Sequence, residues 1–504
     1  MPIRESRLMR VLLSLNVEPV LHCHWIGYGI FISICNAFVY FKLCTEMSLL
    51  QPGTPENETI AFCRHLNELA NKSVTNRVQV AASTFTEWLN ICMAVTAFGS
   101  SIFMGAWSDL VGRKPPLLIA LTGLLFSYTV YLAVALKPMS ISVNILLLSA
   151  LSSGLMGGTL CVMMAAMSSV SDQVHDRKEL AGRLGITSGF ITLGLVLGNL
   201  GSGLLVKYRG YPQVFMLSLS ASVASILLAV FWFKETLVVE PVKDPSLFTI
   251  QGVPVPVEVS DPVKKRSCRI GVGTLRYVLA RLKDTAGTLT QRRDSRRRLY
   301  LCVGLFCFLL TYASDLAMTP VTLFFVKHEP LSWSDFDFTI FMATCAGCAA
   351  LSMLFLTRIL RNLAKFREVT IILWGTTFAV IKQMLTAFAV NRTMMFCVGA
   401  IYCVSAVAYP GYRAFLSKLV TKSETGRVFA LISTVETFAP LVSVLVFNNI
   451  YTASVEVFPG LAFVIASTFI LISGAVMCFV WRDSRGLILD KDEAPIVVDE
   501  SFVV

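Results

Sequence analysis

The chain has 504 residues, of which 55% are hydrophobic and 15% are charged, and its formal net charge is +11. Soluble proteins carry about 25% charged residues, so this chain has too little polar surface to be a soluble protein of its length. The positive charge requires no nucleic-acid partner, because lysines and arginines concentrate in segments predicted below to lie on the inner side of a membrane. The sequence has no nucleophile elbow, phosphate-binding loop or metal-binding histidine pair. We therefore expect neither enzymatic activity nor a bound cofactor.

Twelve apolar stretches are long enough to cross a bilayer, for which an α-helix needs about 20 residues. We number them span 1 to span 12. They cover approximately residues 17–40, 81–104, 115–136, 143–169, 184–206, 211–233, 299–325, 336–357, 368–390, 394–412, 427–449 and 458–481. The predicted fold class is therefore an all-α membrane protein with twelve transmembrane helices in two six-helix bundles.

The loops between the spans predict the orientation and the domain boundaries. The excess of lysine and arginine on one side places both termini in the cytoplasm by the positive-inside rule. The predicted parts are a cytoplasmic N-terminus (1–16), an N-terminal six-helix bundle (17–233), a cytoplasmic central loop (234–298), a C-terminal six-helix bundle (299–481) and a cytoplasmic tail (482–504). No cleavage site follows a separate apolar core at the N-terminus, so we expect span 1 to act as an uncleaved signal anchor.

The first outer loop, between spans 1 and 2, carries features of an extracytoplasmic compartment. Asn57-Glu-Thr and Asn71-Lys-Ser are acceptor sequences for N-glycosylation. Cys44 and Cys63 lie near the outer face, where an oxidising environment would allow a disulfide between them. The sequence leaves open whether the two cysteines are bonded.

The remaining cysteines give little indication of a metal site. Cys345-Ala-Gly-Cys348 has the spacing of a zinc half-site, but it lies in the middle of span 8 without a second pair. We therefore expect these thiols to pack between helices, as buried free cysteines usually do.

A short motif joins spans 2 and 3. The run Gly105-Ala-Trp-Ser-Asp109-Leu-Val-Gly112-Arg113-Lys114 has the pattern G-x-x-x-D-x-x-G-R-K. Its glycines allow a tight turn, and its acid and bases lie at helix ends, where charges interact with the peptide dipoles. The run resembles the signature of the major facilitator superfamily at the turn between the second and third membrane helices. This resemblance implies a transporter built from two related halves, in which these residues latch one end state.

A second resemblance covers nearly the whole chain apart from the central loop and the tail. It is carried by segments 17–19, 210–215, 234–237, 410–420, 424–426 and 447–451. These segments are similar to solute carrier family 46, which includes the proton-coupled folate transporter. The resemblance implies proton-coupled transport of folates, conjugated organic anions or bacterial wall fragments, with Arg413 near the bound substrate.

The departures from that family concern the substrate. The folate transporter's aspartate, glutamate and histidine of helices four, five and seven align with Leu155, Ser188 and Ser314, so the resemblance does not specify folate as the cargo. The segment 327–337 also contains no cysteine to pair with Cys63 as the family's outer-loop disulfide would require.

Ionisable residues within the spans are candidates for the transport site, because such groups are costly in a membrane and usually face a cavity or a partner. Glu436 lies about halfway across span 11 and Asp315 lies past the middle of span 7, so both are candidates for proton coupling. Glu436 could equally be a static strut, for instance paired with Lys382. Arg413, near the inner end of span 10, could bind an anionic group of the cargo by a two-pronged contact or merely anchor its helix.

Aromatic and small residues complete the predicted site. The further substrate-binding candidates are Tyr409, Tyr412, Tyr312, Ser188 and Ser314. In span 1, we expect His22 and His24 to pack in the core rather than transfer protons. Six glycines of span 5, at positions 185, 189, 194, 198, 201 and 203, predict close helix packing, with or without a sliding surface between the halves.

These observations favour a secondary active transporter that moves an organic, preferentially anionic solute by alternating access and proton symport. Its expected partners are the solute, protons and the lipid bilayer. A facilitative uniporter and a non-transporting receptor or scaffold are the alternatives, and the ending Phe502-Val-Val504 is a candidate ligand for a PDZ-type domain. The plasma membrane is favoured as the location, with the lysosomal membrane as the alternative.

Overall fold

The structure is a computed structural model. It describes residues 16–47, 55–64, 72–173, 177–236, 249–250, 253–254, 296–315, 318–356, 359–360, 366–420 and 425–483. Most of the predicted central loop, the predicted N-terminus up to residue 15 and the tail from residue 484 therefore lie outside the described residues.

The first half contains six helical spans. Their helices are Glu18–Glu46 (span 1), Lys72–Val111 (span 2), Lys114–Leu136 (span 3), Leu146–Leu155 and Gly158–Gln173 (span 4), Arg177–Tyr208 (span 5) and Tyr211–Phe231 (span 6). A short 3-10 helix, Val143–Ile145, precedes span 4, and the helix Glu56–Arg64 lies in the first outer loop. Two strands of the central loop, Thr249–Ile250 and Val253–Pro254, pair antiparallel with Ile250 opposite Val253.

The second half contains the other six spans. Its α-helices are Arg297–Asp315 and Thr319–Lys327 (span 7), Asp335–Leu351 (span 8), Glu368–Ala387 (span 9), Arg392–Ser405 and Ala408–Lys418 (span 10), Thr425–Ser443 and Asn449–Ser454 (span 11) and Leu461–Asp483 (span 12). Two π-helical segments, Ser352–Leu356 and Val444–Asn448, continue span 8 and interrupt span 11.

Eleven helical segments of the described residues are long and apolar enough to cross a membrane. Span 8 is the predicted span that is not among them, but its α-helix and π-helical continuation extend from Asp335 to Leu356. The helix of span 2 begins at Lys72 rather than near residue 81. Its first turns are polar and precede the apolar stretch, and they continue the helix because this satisfies their backbone groups.

Prolines and caps determine where several helices begin. Spans 1, 3 and 6 each have proline in the first helical turn, where the missing N–H would have no intrahelical acceptor. Span 8 begins with a capping box, in which the Ser334 hydroxyl accepts from the Asp337 N–H and the Asp337 carboxylate accepts from the Ser334 N–H.

Spans 4 and 10 are both interrupted near their centres. In span 4, Gly157 and Gly158 adopt φ angles of +88° and +53°, which favour glycine. In span 10, the α-helix stops at Ser405 and resumes at Ala408. The two breaks occupy equivalent places in the two halves, as expected of internal repeats.

The glycines of span 5 allow close approach to span 1. A Cβ atom added to Gly194 would lie 2.8 Å from the His22 carbonyl oxygen, and one added to Gly198 would lie 2.4 Å from the Ile26 carbonyl oxygen. The predicted tight packing is confirmed at these two positions.

The halves share a core at one end and separate at the other. One buried apolar cluster contains residues of both halves, including Phe38, Tyr131, Phe324 and Tyr451, and lies toward the ends predicted to face outside. Two further clusters belong to one half each and lie toward the predicted cytoplasmic ends. Polar contacts also join the halves at the outer end, where the Tyr211 hydroxyl donates to Asp335 at 2.5 Å. The halves therefore pack together most extensively at the predicted outer side.

Candidate functional site

The turn between spans 2 and 3 is tied to the ends of two other spans. The Arg113 guanidinium donates to Asp172 at the end of span 4, at 2.8 Å, and to the Ser108 hydroxyl, at 2.8 Å. The backbone N–H groups of Arg113 and Lys114 donate to the Glu235 carboxylate at 2.9 and 3.0 Å. An acceptor at the beginning of span 3 stabilises N–H groups that have no partner within the helix.

Two other motif residues complete this turn. Gly112 has a φ angle of +105°, and a Cβ atom there would lie 2.4 Å from Glu235 Oε2, so the turn requires glycine. Lys114 Nζ donates to the carbonyl oxygens of Val230 and Phe233, both at 2.8 Å, at the end of span 6. Gly105 faces span 4, since its Cβ would lie 3.3 Å from Met164 Sδ. The side chain of Asp109 lies outside the described part of the structure.

Two of the predicted transport residues form one ion pair. The Arg413 guanidinium of span 10 donates to the Glu436 carboxylate of span 11. The Arg413 side chain is 48% exposed, whereas the Glu436 side chain is 11% exposed. Arg413 is therefore the more exposed member of this pair.

The other predicted carboxylate lies in a more enclosed network. Asp315 pairs with Lys382, and their side chains are 1% and 10% exposed. Asp315 also accepts from the Tyr409 hydroxyl at 2.6 Å and from Gln383 at 3.4 Å. The Lys382 ammonium lies 4.7 Å from the centre of the Tyr402 ring, a cation–π contact. Every charge in this network therefore has a close partner.

The two ion pairs correct one alternative stated above. Lys382 pairs with Asp315 rather than with Glu436, and the partner of Glu436 is Arg413. The sequence could not decide between these pairings, because helix rotation and tilt determine which charges meet.

The remaining substrate-binding candidates lie in different surroundings. The Tyr312 ring packs with its centre 5.7 Å from that of the Tyr409 ring, and the Tyr409 hydroxyl donates to Asp315. Tyr412 is fully buried, and its hydroxyl is 2.8 Å from the Ser473 hydroxyl.

The two serine candidates also differ from each other. Ser188 is exposed on span 5, where its carbonyl oxygen accepts from Thr192 at 3.0 Å. Ser314 is buried, and its carbonyl oxygen accepts from Gln383 at 2.6 Å. Ser314 therefore adjoins the Asp315 network.

The first outer loop contains a disulfide. Cys44 at the end of span 1 is bonded to Cys63 of the outer helix, with a Cα–Cα distance of 5.8 Å. Asn57 is exposed in the first turn of that helix, while Asn71 lies outside the described residues, as does the ending Phe502-Val-Val504.

Cys345 and Cys348 are free thiols. Among the residues that the structure describes, no three or more His, Cys, Asp or Glu side chains are grouped so as to hold a metal ion.

Sequence reasoning missed most of the partners of these groups. Asp172, at the end of span 4, and Glu235, after span 6, are far along the chain from Arg113, and only the resemblance at 234–237 pointed to Glu235. Gln383 and Tyr402 belong to apolar spans in which no local pattern distinguishes them. Their roles depend on which helices are neighbours.

Comparisons with known proteins agree with this architecture. The model of the family described as Major Facilitator Superfamily matches residues 78–444. The solved structure of the human organic anion transporter TETRAN superposes with a TM-score of 0.60 at 15% identity, covering 92% of this chain and 97% of that chain. At this identity the likeness concerns the fold alone, and it confirms the predicted class of two six-helix bundles.

Two curated relatives are similar over most of their length. The proton-coupled folate transporter of Bos taurus is 26% identical over 429 residues, which cover 84% of each chain. The lysosomal proton-coupled steroid conjugate and bile acid symporter of Gallus gallus is 24% identical over 470 residues, covering 92% of this chain and 94% of its own. The chain is thus an integral, multi-pass membrane protein of the transporter type rather than an enzyme.

Proposed function

Because the chain belongs to the Major Facilitator Superfamily, we propose that it is a secondary active transporter that carries an organic anion together with protons by alternating access. The observation that carries this proposal is the ion pair between Arg413, whose side chain is partly exposed, and Glu436, which is mostly covered. The pair joins an anion-binding group directly to a proton-accepting group.

Competition within this pair would couple the two solutes. When Glu436 is ionised, it occupies the Arg413 guanidinium and disfavours a second anion there. When Glu436 takes up a proton, it releases the guanidinium, which then binds a carboxylate, sulfate or phosphate group of the cargo through two parallel hydrogen bonds. Loss of the proton on the other side of the membrane restores the pair and expels the cargo, so proton and anion move together.

The rest of the molecule supplies the alternation. The halves share their core at the predicted outer side and have separate cores at the predicted cytoplasmic side. In this arrangement the site would be accessible from the cytoplasm, and rocking of the halves would expose it outside. The turn that contains Gly105, Asp109, Gly112, Arg113 and Lys114 would latch one end state, as the resemblance to the superfamily signature implies. In the structure, its contacts hold the inner ends of spans 2, 3, 4 and 6 together within the first half.

The names of the relatives support the substrate class. One relative is a folate transporter and the other a symporter of steroid conjugates and bile acids, and both are described as proton-coupled. We therefore favour a folate-like compound or a conjugated organic anion as the cargo. The Asp315 and Lys382 pair would be a structural strut, because its charges are already compensated and enclosed.

The orientation and location belong to the same proposal. Both termini would lie in the cytoplasm, Asn57 and Asn71 would be glycosylated on the outer side, and the C-terminal residues would be available to a PDZ-type domain. We favour the plasma membrane, with the lysosomal membrane as the alternative suggested by the second relative.

Uptake into proteoliposomes tests the coupling. With an inward proton gradient, we expect accumulation of labelled folate or taurocholate that collapses when a protonophore removes the gradient. Glu436→Gln should retain binding but lose the dependence on the gradient, while Arg413→Gln should lose uptake of the anion. Lys418→Gln is the matched control, since Lys418 pairs with Glu368 at 2.9 Å away from this site. Uptake that is unaffected both by pH and by Glu436→Gln would instead identify a facilitative uniporter.

A further inference from the structure

Span 2 of the first half and span 11 of the second half contact each other through a row of polar side chains toward the predicted outer side. Gln79, Ser83 and Glu87 follow one another at intervals of four residues, so they lie on one face of span 2. The Tyr451 hydroxyl donates to Gln79 at 3.5 Å, and the Ser83 hydroxyl donates to Asn448 of span 11. The row therefore joins the two halves of the molecule.

Glu87 is a carboxylate whose partners are neutral amides. Asn449 Nδ2 donates to Glu87 Oε1 at 2.9 Å, and Asn448 Nδ2 donates to Glu87 Oε2 at 3.4 Å. Glu87 lies about 9 Å inside the apolar stretch that begins near residue 81, at about 1.5 Å per residue, and a carboxylate at such a depth is costly without compensation. We call Ser83, Glu87, Asn448 and Asn449 the outer clasp.

Other acceptors fix the orientation of both amides. Asn449 Nδ2 also donates to the Leu445 carbonyl oxygen at 2.9 Å, and Asn448 Nδ2 donates to the Ser83 carbonyl oxygen at 3.0 Å. Turning either amide would place its oxygen against a carbonyl oxygen, so both amides present N–H groups to Glu87. An ionised carboxylate only accepts hydrogen bonds, whereas a protonated one carries an O–H that must donate. Protonation of Glu87 therefore weakens at least one of its bonds to span 11.

The charged groups around the outer clasp do not compensate Glu87. Among the described residues, no lysine, arginine or histidine forms an ion pair with it. Lys42 of span 1 pairs with Glu46, and Lys327 of span 7 pairs with Asp335, both at 2.6 Å. The first helix of span 4 contains no titratable residue. The other titratable groups toward the outer ends of span 2 and of the helices that contact it are Cys35, Tyr40, Arg77, Cys92, Tyr131, Lys137, His328, Tyr451 and Glu456.

Two buried polar atoms beside the outer clasp favour separation of the halves. Asn76 Oδ1 and Gln79 Nε2 on span 2 have no hydrogen-bond partner in the described part of the chain, although Asn76 is only 5% exposed and Gln79 0%. A buried polar group without a partner is costly, and it regains partners from water when the halves separate. The bonds of the outer clasp therefore oppose a tendency of this polar interface to hydrate and open.

We propose that Glu87 is a second proton-binding site of the transporter and that its protonation opens the outer side. The inference rests on the alternation of the two halves in the proposed function and adds a group that responds to the outer pH. Ionised Glu87 binds both amides of span 11 and stabilises closure, whereas protonated Glu87 releases them. By reciprocity, acidification favours the open outer side as much as opening favours the bound proton. Glu87 thus sets the pH at which the outer side opens, while Glu436 couples the proton to the anion.

Distance measurements between the halves test this role without any cargo. Nitroxide labels attached to p-acetylphenylalanine at positions Ser140 and Val457 leave the native cysteines unchanged, and both positions are exposed in predicted outer loops of different halves. Electron–electron double resonance on the full-length protein in nanodiscs reports the populations of short and long distances. As the pH falls from about 8 to about 4, which includes the ordinary range of a glutamate, the wild type should shift from the short to the long distance.

Three variants assign the response to the carboxylate. Glu87→Gln keeps the size of the side chain without its charge, so it should abolish the response and raise the long-distance population at high pH about tenfold, as expected for loss of a hydrogen bond to a charged group. Asn449→Lys gives Glu87 a cation, so the transition should move to a lower pH by at least about one unit. Asp335→Asn is the matched control, because Asp335 also contacts the first half but already pairs with Lys327. It should keep the response to pH.

The outcomes separate this inference from the proposed function. A wild-type distance that is independent of pH, an unchanged response in Glu87→Gln, or loss of the response in Asp335→Asn but not in Glu87→Gln would overturn the role of Glu87. If Glu87→Gln does not fold, a transition of Asn449→Lys at the wild-type pH would overturn it as well.

Uptake into proteoliposomes completes the separation. Glu87→Gln should retain accumulation driven by the proton gradient, while its initial rate loses the dependence on outer pH. Glu436→Gln should lose that accumulation but keep the change in distance with pH. A wild type that shows the distance change without gradient-driven accumulation would support the proton site at Glu87 and refute the coupling, whereas accumulation without the distance change would leave the proposed function standing alone.

Discussion

Asp315→Asn should destabilise the protein strongly, because it leaves the charge of Lys382 without its partner. In the structure the two side chains are 1% and 10% exposed, so water can compensate little of that charge. Removing one member of a buried ion pair typically costs about 3–5 kcal/mol. The asparagine can still accept from Tyr409, so the lost charge rather than a lost hydrogen bond dominates the effect.

A second substitution tests this explanation. Lys382→Met in the Asp315→Asn background removes the unpaired ammonium and keeps a long, flexible side chain. Since replacing both members of a buried pair is often nearly neutral, the double variant should recover to within about 1–2 kcal/mol of the wild type. Glu368→Gln is the matched control, because its pair with Lys418 is partly exposed and should contribute less than about 1 kcal/mol.

Equilibrium unfolding in mixed detergent micelles measures these differences. A loss below about 1 kcal/mol for Asp315→Asn, or no recovery in the double variant, would refute the buried-pair argument. Uptake by the double variant addresses function as well. It should keep its dependence on the proton gradient, because we place the proton on Glu436. If that dependence disappears while Glu436→Gln retains it, Asp315 is the coupling group.

Three further predictions concern the scaffold. Gly198→Ala should lower the free energy of unfolding by at least about 1–3 kcal/mol, because the added Cβ would meet the backbone of span 1. Gly201→Ala is the control and should be neutral or stabilising, because a Cβ there meets nothing within 4 Å. Equal effects of the two substitutions would contradict the packing. Cys44→Ser should remove the cross-linked peptide to Cys63 in a non-reducing digest and lower stability by about 3 kcal/mol, as expected for the 19-residue separation. A reducing agent should destabilise the wild type but not this variant. Glu235→Gln should lower the melting temperature through a loss of about 1 kcal/mol, since it weakens the acceptor for two N–H groups at the start of span 3, and an unchanged melting temperature would argue against that cap.

Much of the fold could be read from the sequence because a bilayer imposes a simple requirement. Every backbone group within the hydrocarbon must be satisfied locally, so a stretch of about 20 apolar residues can only be a helix. The run from Gly105 to Lys114 identified the superfamily for a related reason. Its glycines and charges lie close together in the chain, so the turn that requires them can be recognised from the sequence alone.

The tertiary structure alone decided which side chains meet. Glu436 and Arg413 were separate candidates with separate roles, and the sequence suggested Lys382 rather than Arg413 as a partner for Glu436. Likewise, the sequence offered no reason to connect Arg113 with Asp172. A helix presents its residues every 100° or so around its axis, and only its rotation and its neighbours determine which of them face each other. Hydropathy determines that a helix spans the membrane, but it carries almost no information about that rotation.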